Sequence, residues 1–344
     1  MTDRRWTVAV VGATGAVGRE MLRMLEERSF PVSRVRALAS PRSVGRRLPF
    51  AGGEVEVEVL SEAAFEGVDI ALFSAGGARS LEFARSAVQA GAVVIDNSSA
   101  WRMDPEVPLV VPEVNEDALD AHRGIIANPN CSTIQMVLPL KALGDAFGLR
   151  RVIVSTYQSA SGAGQGGIDE LFAGVEAHRS GEALPSEVFA RPLAFDCLPQ
   201  IGDFLDTGYT SEEQKMLEET RKILSMPELP SSATCVRVPV ARGHLESVTV
   251  DLERRATAAE AREVLSSFPG IVVMDRPGEM VYPVARDCVG RTETFVGRIR
   301  EDNALPGTLH FWVVSDNLLK GAAWNAVQIA ESLVARDRVS VPRG

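Results

Sequence analysis

Apolar and polar positions change their pattern along the chain. In the first part, continuous apolar runs such as WTVAVVG, VDIALFSAGG and AVVIDNSS alternate with runs such as REMLRMLEERSF, whose apolar positions recur at helical spacing. Continuous apolar strands are typical of parallel sheets that are buried on both faces. We therefore expect an α/β protein that begins with a Rossmann-type, doubly wound domain.

The second part has a different pattern. RVIVSTYQ, LESVTVDLE, RTETFVGRIRED and TLHFWVVSDN are predicted strands, and YTSEEQKMLEETRKIL and TAAEAREVLSSF are predicted helices. This order predicts an α+β domain with a mostly antiparallel sheet. SASGAGQGG is expected to be a flexible loop, residues 178–205 an irregular segment without an assigned role, and LLKGAAWNAVQIAESLVAR a long amphipathic helix. The expected domains are 1–129, completed by 317–344, and 130–316.

Composition narrows the class of partner. The 344 residues carry a formal net charge of −10, which argues against nucleic acid as a partner. No apolar run approaches the ~20 residues of a membrane span, and the first residues run straight into a strand, so we expect a cytoplasmic protein. The four cysteines lie far apart, with neither disulfide nor metal-ligand spacing, and we expect no metal.

The loop GATGAVG after the first strand indicates a dinucleotide site. Its glycines, Gly12, Gly15 and Gly18, form GxxGxxG, and a helical run follows directly. Such a loop lets pyrophosphate approach the backbone at a helix N-terminus. The alternative is a structural glycine-rich turn.

The end of the second predicted strand favours NADP over NAD. An NAD site usually carries an acidic residue there, whereas this chain has Ser40, Arg42 and Ser43. Two hydroxyls around a guanidinium suit a 2′-phosphate. A solvated basic loop is the alternative, because Arg46 and Arg47 follow closely.

Two further strand ends carry polar turns. They are SAGG, which begins at Ser74, and DNSS, which Arg102 follows. Ligands bind at the carboxyl ends of strands in such sheets. Arg102 could bind a phosphate or carboxylate there, or form a surface ion pair with Asp104.

NPNCST places Cys131 where a strand-like run, GIIA, gives way to TIQMVLPLKALGDAF, which we expect to be an amphipathic helix. A thiol at a helix N-terminus meets unpaired N–H groups and the positive end of the dipole. We therefore expect a pKa below the ~8.5 of a free cysteine, and a nucleophile. A buried structural cysteine is the other interpretation.

Polar residues of the second part could serve that thiol. His244 stands at a predicted strand start and could transfer protons near neutral pH, although a lone histidine is more often structural. Gln158 ends a predicted strand. Glu212 and Lys215 stand three apart on a predicted helix, which usually means a solvated ion pair. Arg237 lies near His244 in sequence.

Taken together, the motifs resemble the aspartate-β-semialdehyde dehydrogenase family, in its shorter bacterial branch. The resemblance covers almost the whole chain and rests on GATGAVG, SPRS, NSSAWR, NPNCST, TYQSASGAG, RVPVARGH and SDNLLKGAAWNA. It implies a second domain of glyceraldehyde-phosphate-dehydrogenase-like type, used for catalysis and dimerisation. It also implies NADPH-dependent conversion of L-aspartyl 4-phosphate to aspartate 4-semialdehyde, with release of phosphate, in lysine, threonine, methionine and diaminopimelate biosynthesis.

The resemblance also assigns roles to residues. Cys131 is the nucleophile that forms a thioester, His244 the general acid and base, and Gln158 orients the acyl group. Arg237 and Glu212 bind the substrate, and Arg102, Lys215 and Asn130 its phosphate. The expected NADP(H) contacts are Gly12, Thr14, Gly15, Ala16, Val17, Ser40, Arg42, Ser43, Ser74, Ser161, Gly162 and Asn317. A homodimer is expected, and the sequence does not distinguish it from a tetramer. The alternatives are an N-acetyl-glutamyl-phosphate reductase and a non-catalytic NADP-binding paralogue.

Overall fold

The computed structural model describes residues 4–341. They divide into two compact units. The first consists of Met1–Pro129 with Ala322–Gly344, and the second is Asn130–Gly321. The assignment of cofactor binding and catalysis to separate units stays a prediction at this point.

The first unit contains a seven-stranded sheet in the order β3-β4-β2-β1-β5-β6-β7. All its strand pairs are parallel except β3 with β4. The strands are Trp6–Val11 (β1), Val32–Ala39 (β2), Arg47–Phe50 (β3), Gly53–Val59 (β4), Ile70–Phe73 (β5), Val93–Asp96 (β6) and Ile125–Ala127 (β7). Without the antiparallel β3, this is the strand order of dinucleotide-binding sheets, so the Rossmann-type prediction is confirmed.

The helices of this unit cover the apolar strands. They are Ala16–Glu27 (α1), Gly77–Gln89 (α2), Pro112–Asn115 (α3) and Trp324–Ala335 (α9), with 3-10 turns Pro41–Ser43, Glu62–Phe65 and Glu116–Ala121. The apolar face of α1, which includes Met21, Leu22 and Leu25, is buried. Helical spacing in REMLRMLEERSF predicted this face.

The reversal of strand order falls between β1 and β5. Gly12 follows β1 with φ +84°, and a Cβ placed on it would lie 2.4 Å from the carbonyl oxygen of Ser74, which follows β5. A Cβ on Gly18 would lie 2.2 Å from the carbonyl oxygen of Gly12. These contacts explain two of the three glycines, because any side chain would push the loop apart.

The second unit has a six-stranded sheet in the order β11-β12-β13-β10-β8-β9. Three of its five strand pairs are antiparallel, as expected for this part. The strands are Leu149–Gln158 (β8), Ser231–Arg237 (β9), His244–Leu252 (β10), Ile271–Val273 (β11), Thr294–Glu301 (β12) and Thr308–Ser315 (β13). The helices are Cys131–Phe147 (α4), Gly164–Ser180 (α5), Ser211–Ile223 (α6), Ala258–Ser267 (α7) and Ala285–Cys288 (α8).

Helix α4 is more buried than its sequence suggests. Most of its side chains are buried, including Gln135, although we expected an amphipathic helix. It packs against β8, β10, β12 and β13 of the sheet as well as against α6 and α7. A helix surrounded by a sheet and other helices keeps little solvated surface, here around Lys141 and Asp145, so its apolar periodicity is weak.

The expectation of a flexible loop at SASGAGQGG was wrong. Residues Ala160–Ala163 form a 3-10 turn, and α5 begins at Gly164. The N–H groups of Ala160 and Ser161 donate to the carbonyl oxygens of Val240 and Ala241. Gly167 lies so close to this turn that a Cβ would be 2.5 Å from the carbonyl oxygen of Ala160. The glycines therefore permit close packing.

The last predicted helix is also divided. Residues Leu319–Ala323 form a π-helical turn, and α9 begins at Trp324. Of the predicted irregular segment 178–205, residues 178–180 are the end of α5. Residues 181–205 contain no strand or helix beyond isolated bridges at Leu198 and Phe204, as expected. Within residues 4–341 every helix is too short or too polar to cross a membrane.

Candidate active site

The N-terminus of α4 carries Cys131 as its first helical residue. Asn130 is the N-cap, and its side-chain oxygen accepts hydrogen bonds from the N–H groups of Ser132 (2.9 Å) and Thr133 (3.2 Å). The prediction of a helix start at the thiol is confirmed. A Cβ on Gly321 would lie 2.8 Å from the Cβ of Cys131, so only glycine lets the π-helical turn approach the thiol this closely.

Strand register places three predicted site residues together. Arg237 on β9 pairs with Gln158 on β8, and His244 begins β10, the next strand of the sheet. All three are buried. Neighbouring strands align side chains on one face, so residues far apart in sequence form a row across the sheet.

Several guanidinium N–H groups of Arg237 have no acceptor among residues 4–341. Its Nη1 donates to the carbonyl oxygen of Ser159 at 2.7 Å, and its other guanidinium N–H groups donate to no residue within 4–341. Burial lowers the pKa of Arg237, while the nearby Cys131 and Glu212 oppose that effect. A guanidinium with unused donors in a buried site is suited to a bidentate carboxylate ligand.

Glu212 is not the solvated residue that its spacing from Lys215 suggests. Its side chain is 9% exposed. Oε1 accepts from Asn130 Nδ2 at 2.8 Å and from Gln158 Nε2 at 3.4 Å, and Oε2 lies 3.3 Å from Lys215 Nζ. This contact set joins α6 to the cap of α4 and to β8, with Glu212 at its centre.

His244 is fully buried and held from one side. The N–H of Ser159 donates to its Nδ1 at 3.1 Å, so the neutral ring carries its proton on Nε2. Burial lowers the pKa of His244 well below its usual value, and the charge of Arg237 adds to the effect. Nε2 has no partner within the described residues. The ring therefore presents an unused N–H donor.

The predicted cofactor residues of this unit surround His244. Asn317 Oδ1 accepts from Ser161 Oγ (2.9 Å) and from the N–H of Gly243 (2.9 Å). A Cβ on Gly162 would lie 3.2 Å from His244 Nε2 and 2.5 Å from Arg237 Nη1. Glycine at this position leaves the two donors accessible.

Sequence reasoning missed two residues that support the site. The carboxylate of Glu219 accepts the N–H of Asn130 at 2.6 Å, and Ser159 contacts His244 with both its N–H and its hydroxyl. Glu219 follows Glu212 by seven residues on α6, and that spacing, which places both on one helix face, was the available signal. Ser159 has no such signal, because its contacts with His244 depend on the pairing of β8 with β10 and partly on its backbone N–H.

The predicted cofactor loop of the first unit fits a dinucleotide. Gly15 is the N-cap of α1 but supplies no side-chain hydrogen bond, and the first turn has no acidic residue. The first N–H groups of α1, which begins at Ala16 and Val17, are thus without a side-chain cap. Uncapped amides at the carboxyl edge of a parallel sheet suit pyrophosphate.

The SPRS segment lies beside the end of β2. Ser40 and Arg42 are exposed, and Ser43 is buried in a 3-10 turn. Arg42 forms no hydrogen bond or ion pair with any residue from 4 to 341. An exposed, uncommitted guanidinium at this position fits the 2′-phosphate expectation, which stays a prediction.

Arg102 is buried in the first unit. Its Nε donates to the carbonyl oxygen of Asn128 (3.0 Å) and its Nη2 to that of Asn97 (2.7 Å), which follow β7 and β6. Asp96 ends β6, and burial raises its pKa. The structure thus fixes Arg102 at a strand edge, and its phosphate role stays a prediction.

Comparison with known proteins defines the class. The model described as "Semialdehyde dehydrogenase, NAD binding domain" matches residues 7–122, and "Semialdehyde dehydrogenase, dimerisation domain" matches residues 140–320. The protein is a two-domain semialdehyde dehydrogenase, an oxidoreductase that uses a nicotinamide cofactor.

Individual relatives define the family. An aspartate-semialdehyde dehydrogenase of Aquifex aeolicus is 54% identical over 96% of this chain and 98% of the relative, and one of Bacillus subtilis is 52% identical over 95% and 96%. The chain belongs to the aspartate-semialdehyde dehydrogenase family.

Solved structures agree in fold. Aspartate semialdehyde dehydrogenase II from Vibrio cholerae has a TM-score of 0.94 at 47% identity, with 96% of this chain and 99% of that chain covered. The same enzyme complexed with ASA also has a TM-score of 0.94, at 46% identity and the same coverage. A Candida albicans aspartate semialdehyde dehydrogenase with NADP has a TM-score of 0.74 at 25% identity, with coverage of 97% and 100%.

Proposed function

We propose that this protein reduces L-aspartyl 4-phosphate to aspartate 4-semialdehyde through a thioester on Cys131, with NADPH as the reductant. The observation that carries the proposal is the pairing of opposite charges beside one thiol. Arg237 offers unused donors for an α-carboxylate, and the carboxylate of Glu212 suits an α-amino group. An amino acid held at both groups would present its side chain to Cys131.

The chemistry follows from the residues. The Cys131 thiolate attacks the acyl carbon, a C–S bond forms, and the C–O bond to phosphate breaks. The nicotinamide cofactor, when bound, supplies a hydride to the acyl carbon. The Nε2–H of His244 acts as the acid toward the resulting oxyanion by donating a hydrogen bond to it. As the oxyanion re-forms the carbonyl, the C–S bond breaks, the Cys131 thiolate leaves and the aldehyde is released. Gln158 orients the acyl oxygen.

The departing phosphate needs cationic partners. The side chain of Lys215 is 36% exposed. Lys215 and Asn130 both contact the carboxylate of Glu212. We assign phosphate binding to Lys215 and Asn130 in the second unit and to Arg102 in the first. A lysine that already contacts a carboxylate keeps two N–H donors for an anion.

NADP is the proposed form of the cofactor. The backbone from Gly12 to Val17, with Thr14, and the hydroxyl of Ser74 would hold the pyrophosphate side. Ser40, Arg42 and Ser43 would hold the 2′-phosphate. In the second unit, Ser161, Gly162 and Asn317 are the proposed contacts. The uncapped N-terminus of α1 and the uncommitted Arg42 support this assignment.

A homodimer is the proposed assembly. On the face of the second sheet that α4 does not cover, Ile153 and Tyr157 are 38% and 36% exposed, and Tyr157 lies against Trp312 with ring centroids 5.3 Å apart. Exposed apolar side chains on a sheet face mark an interaction surface. Sedimentation of the parent and of Ile153→Glu tests this, with conversion to monomer expected for the variant.

The decisive experiment follows nicotinamide absorbance with aspartate semialdehyde, phosphate and either NADP or NAD. We expect phosphate-dependent reduction of NADP. Activity only with N-acetyl-glutamate semialdehyde would retain Cys131 but reassign Arg237 and Glu212. No activity with either substrate would favour the interpretation as a non-catalytic NADP-binding paralogue.

A further inference from the structure

A second polar layer lies below the row of site residues in the second unit. Glu246 follows His244 by two residues on β10, so both side chains point to the same face of the sheet. Gln135 follows Cys131 by four residues on α4, one helical turn further on the same face. Glu246 and Gln135 are both 0% exposed, and the proposed reaction uses neither.

The two side chains face each other without a committed partner. The side chain of Gln135 lies near enough to the carboxyl group of Glu246 to lower its pKa as a hydrogen-bonding group. Yet both carboxyl oxygens and both amide atoms of Gln135 lack a hydrogen-bond partner among residues 4–341. Glu246 also forms no ion pair in that range. Four uncommitted polar atoms at one buried contact require an explanation, because buried polar groups are normally satisfied.

Burial disfavours a charged carboxylate at Glu246. Across the sheet it is in register with Thr156, which is in register with Cys235. The charges of three nearby carboxyl groups raise the pKa of the Cys235 thiol, those of Glu212, Glu213 and Glu246. Arg237 and His244 lie two residues away along β9 and β10, and Cys131 lies one helical turn from Gln135 on α4. Burial raises the pKa of Glu246 well above its usual value, and Gln135 opposes this only in part.

We propose that Glu246 is a protonated, uncharged positioning residue that pairs with Gln135 and fixes the Cys131 face of α4 against the strand carrying His244. A carboxylic acid and a primary amide each offer one donor and one acceptor to the other, directly or through one water. The inference rests on the proposed function, because the thioester reaction requires a fixed separation of thiol and imidazole.

The neutral state has a second consequence for the thiol. An ionised Glu246 one layer below Cys131 would oppose formation of the thiolate. With Glu246 protonated, the dipole of α4 and the guanidinium of Arg237 favour the thiolate. The carboxylates of Glu212 and Glu219, which bind Asn130, oppose it, so a third buried negative charge would add to their effect.

The test compares Glu246→Gln, which preserves an uncharged hydrogen-bonding group, with Glu246→Leu, which does not. Val248→Ala is the matched control, since Val248 is fully buried two residues further along the same face of β10. Alkylation of Cys131 by iodoacetamide is followed against pH by peptide mass spectrometry. The exposed Cys197 serves as the internal reference.

We expect Glu246→Gln to keep the alkylation midpoint within about 0.3 pH unit and kcat within about threefold. Glu246→Leu should lower kcat by at least about tenfold while KM changes by less than about threefold. Val248→Ala should lower the melting temperature and leave kcat and the alkylation profile unchanged. The infrared difference between the parent and Glu246→Gln should contain the carbonyl band of a protonated carboxylic acid.

Two results would overturn the proposal. A fall of the alkylation midpoint by more than about 0.5 pH unit in Glu246→Gln would show that a negative charge had been removed. Equal kcat in Glu246→Leu and Val248→Ala would reduce Glu246 to a structural residue. Alkylation needs no substrate, so a parent enzyme inactive on aspartate semialdehyde but with these alkylation profiles would refute the proposed function and support the acid–amide pair.

Discussion

Helices α1 and α4 both begin at a glycine- or asparagine-containing turn after a strand, but their N-termini differ. At α4, Asn130 caps the N–H groups of Ser132 and Thr133 with its own side chain. At α1, Gly15 is the N-cap and has no side chain to offer. The same dipole is therefore capped in one helix and left open in the other.

The difference shows that capping decides what a helix N-terminus can bind. The open amides of α1 suit an external anion, here the proposed pyrophosphate. At α4 the cap occupies two of the amides, and the remaining electrostatic benefit is available to the first residue, Cys131. The cap also links the helix turn of the thiol to Glu212, the proposed substrate-binding residue, through Asn130 Nδ2.

The largest expected effect comes from removing the thiol that α4 presents. Cys131→Ala should lower kcat by about 10⁴-fold or more, because the covalent step is lost. NADPH affinity, measured by fluorescence titration, should remain within about twofold. Cys197→Ala, at an exposed cysteine, is the control and should be fully active. Residual turnover within about tenfold of the parent would refute the thioester mechanism.

The next effect comes from closing the open N-terminus of α1. Gly15→Asp should weaken NADPH binding by about 100-fold, because a carboxylate would cap the amides and repel pyrophosphate. The same change should not lower the melting temperature, since aspartate is a favourable N-cap. Gly15→Ser, a neutral cap, should weaken binding less. Unchanged NADPH affinity in Gly15→Asp would place the pyrophosphate elsewhere.

Opening the closed N-terminus of α4 should have a smaller effect. Asn130→Ala should cost about 1 kcal/mol of stability and lower kcat by about tenfold, because it removes the cap and the contact to Glu212. Thr257→Ala removes the N-cap of α7 and is the matched control. It should cost a similar stability without changing kcat. Equal kcat in the two variants would separate Asn130 from the reaction.

Cofactor choice should respond to Arg42 alone. Arg42→Ala should weaken NADP binding by about tenfold, the usual size of a lost charge-assisted hydrogen bond, and leave NAD binding unchanged. Arg46→Ala, in the same basic segment, is the control. Parallel losses for NADP and NAD would show that SPRS is only a solvated basic loop.

The smallest expected effect is on stability against pH. Because the pKa of His244 is lowered in the folded protein, the unfolded chain binds more protons below about pH 6.5. Stability from this group is therefore present above about pH 6.5 and is lost as pH falls toward the folded pKa. Melting temperatures of the parent and of His244→Gln between pH 7.5 and 5.5 should diverge accordingly. A constant difference would contradict the burial of a neutral ring.

Raised and lowered pKa values act in opposite directions here. Glu246, whose pKa is raised, contributes stability that is present below about pH 4.3 and is lost as pH rises. The difference between the parent and His244→Gln isolates the histidine, because Glu246 is common to both proteins.

Much of the site could be predicted where the signal is local. Cys131 at the start of α4 and His244 at the start of β10 follow from strand-to-helix and turn-to-strand changes in the sequence. Gly12 and Gly15 followed in the same way. The roles of Arg237 and Glu212 were assigned only through the family resemblance, because a charged residue on a helix or strand is usually solvated.

Other features could not be predicted, because their causes lie far away in sequence. SASGAGQGG is ordered by hydrogen bonds to Val240 and Ala241 and by the close approach that Gly167 permits. Glu246 lies in a strand where polar and apolar residues alternate, so the sequence gives no sign that it differs from a solvated strand residue. Its burial against Gln135 depends on the way in which α4 crosses the sheet.

The sequence by itself therefore determined the two sheet types, the start of α4 at Cys131 and the glycine loop before α1, because hydrophobic period, capping and glycine spacing act within a few residues. Only the tertiary structure decided that Arg237, Gln158 and His244 form one row and that Glu212 joins the cap of Cys131. The physical reason is that strand register and helix packing bring together residues that are more than 80 positions apart in the chain.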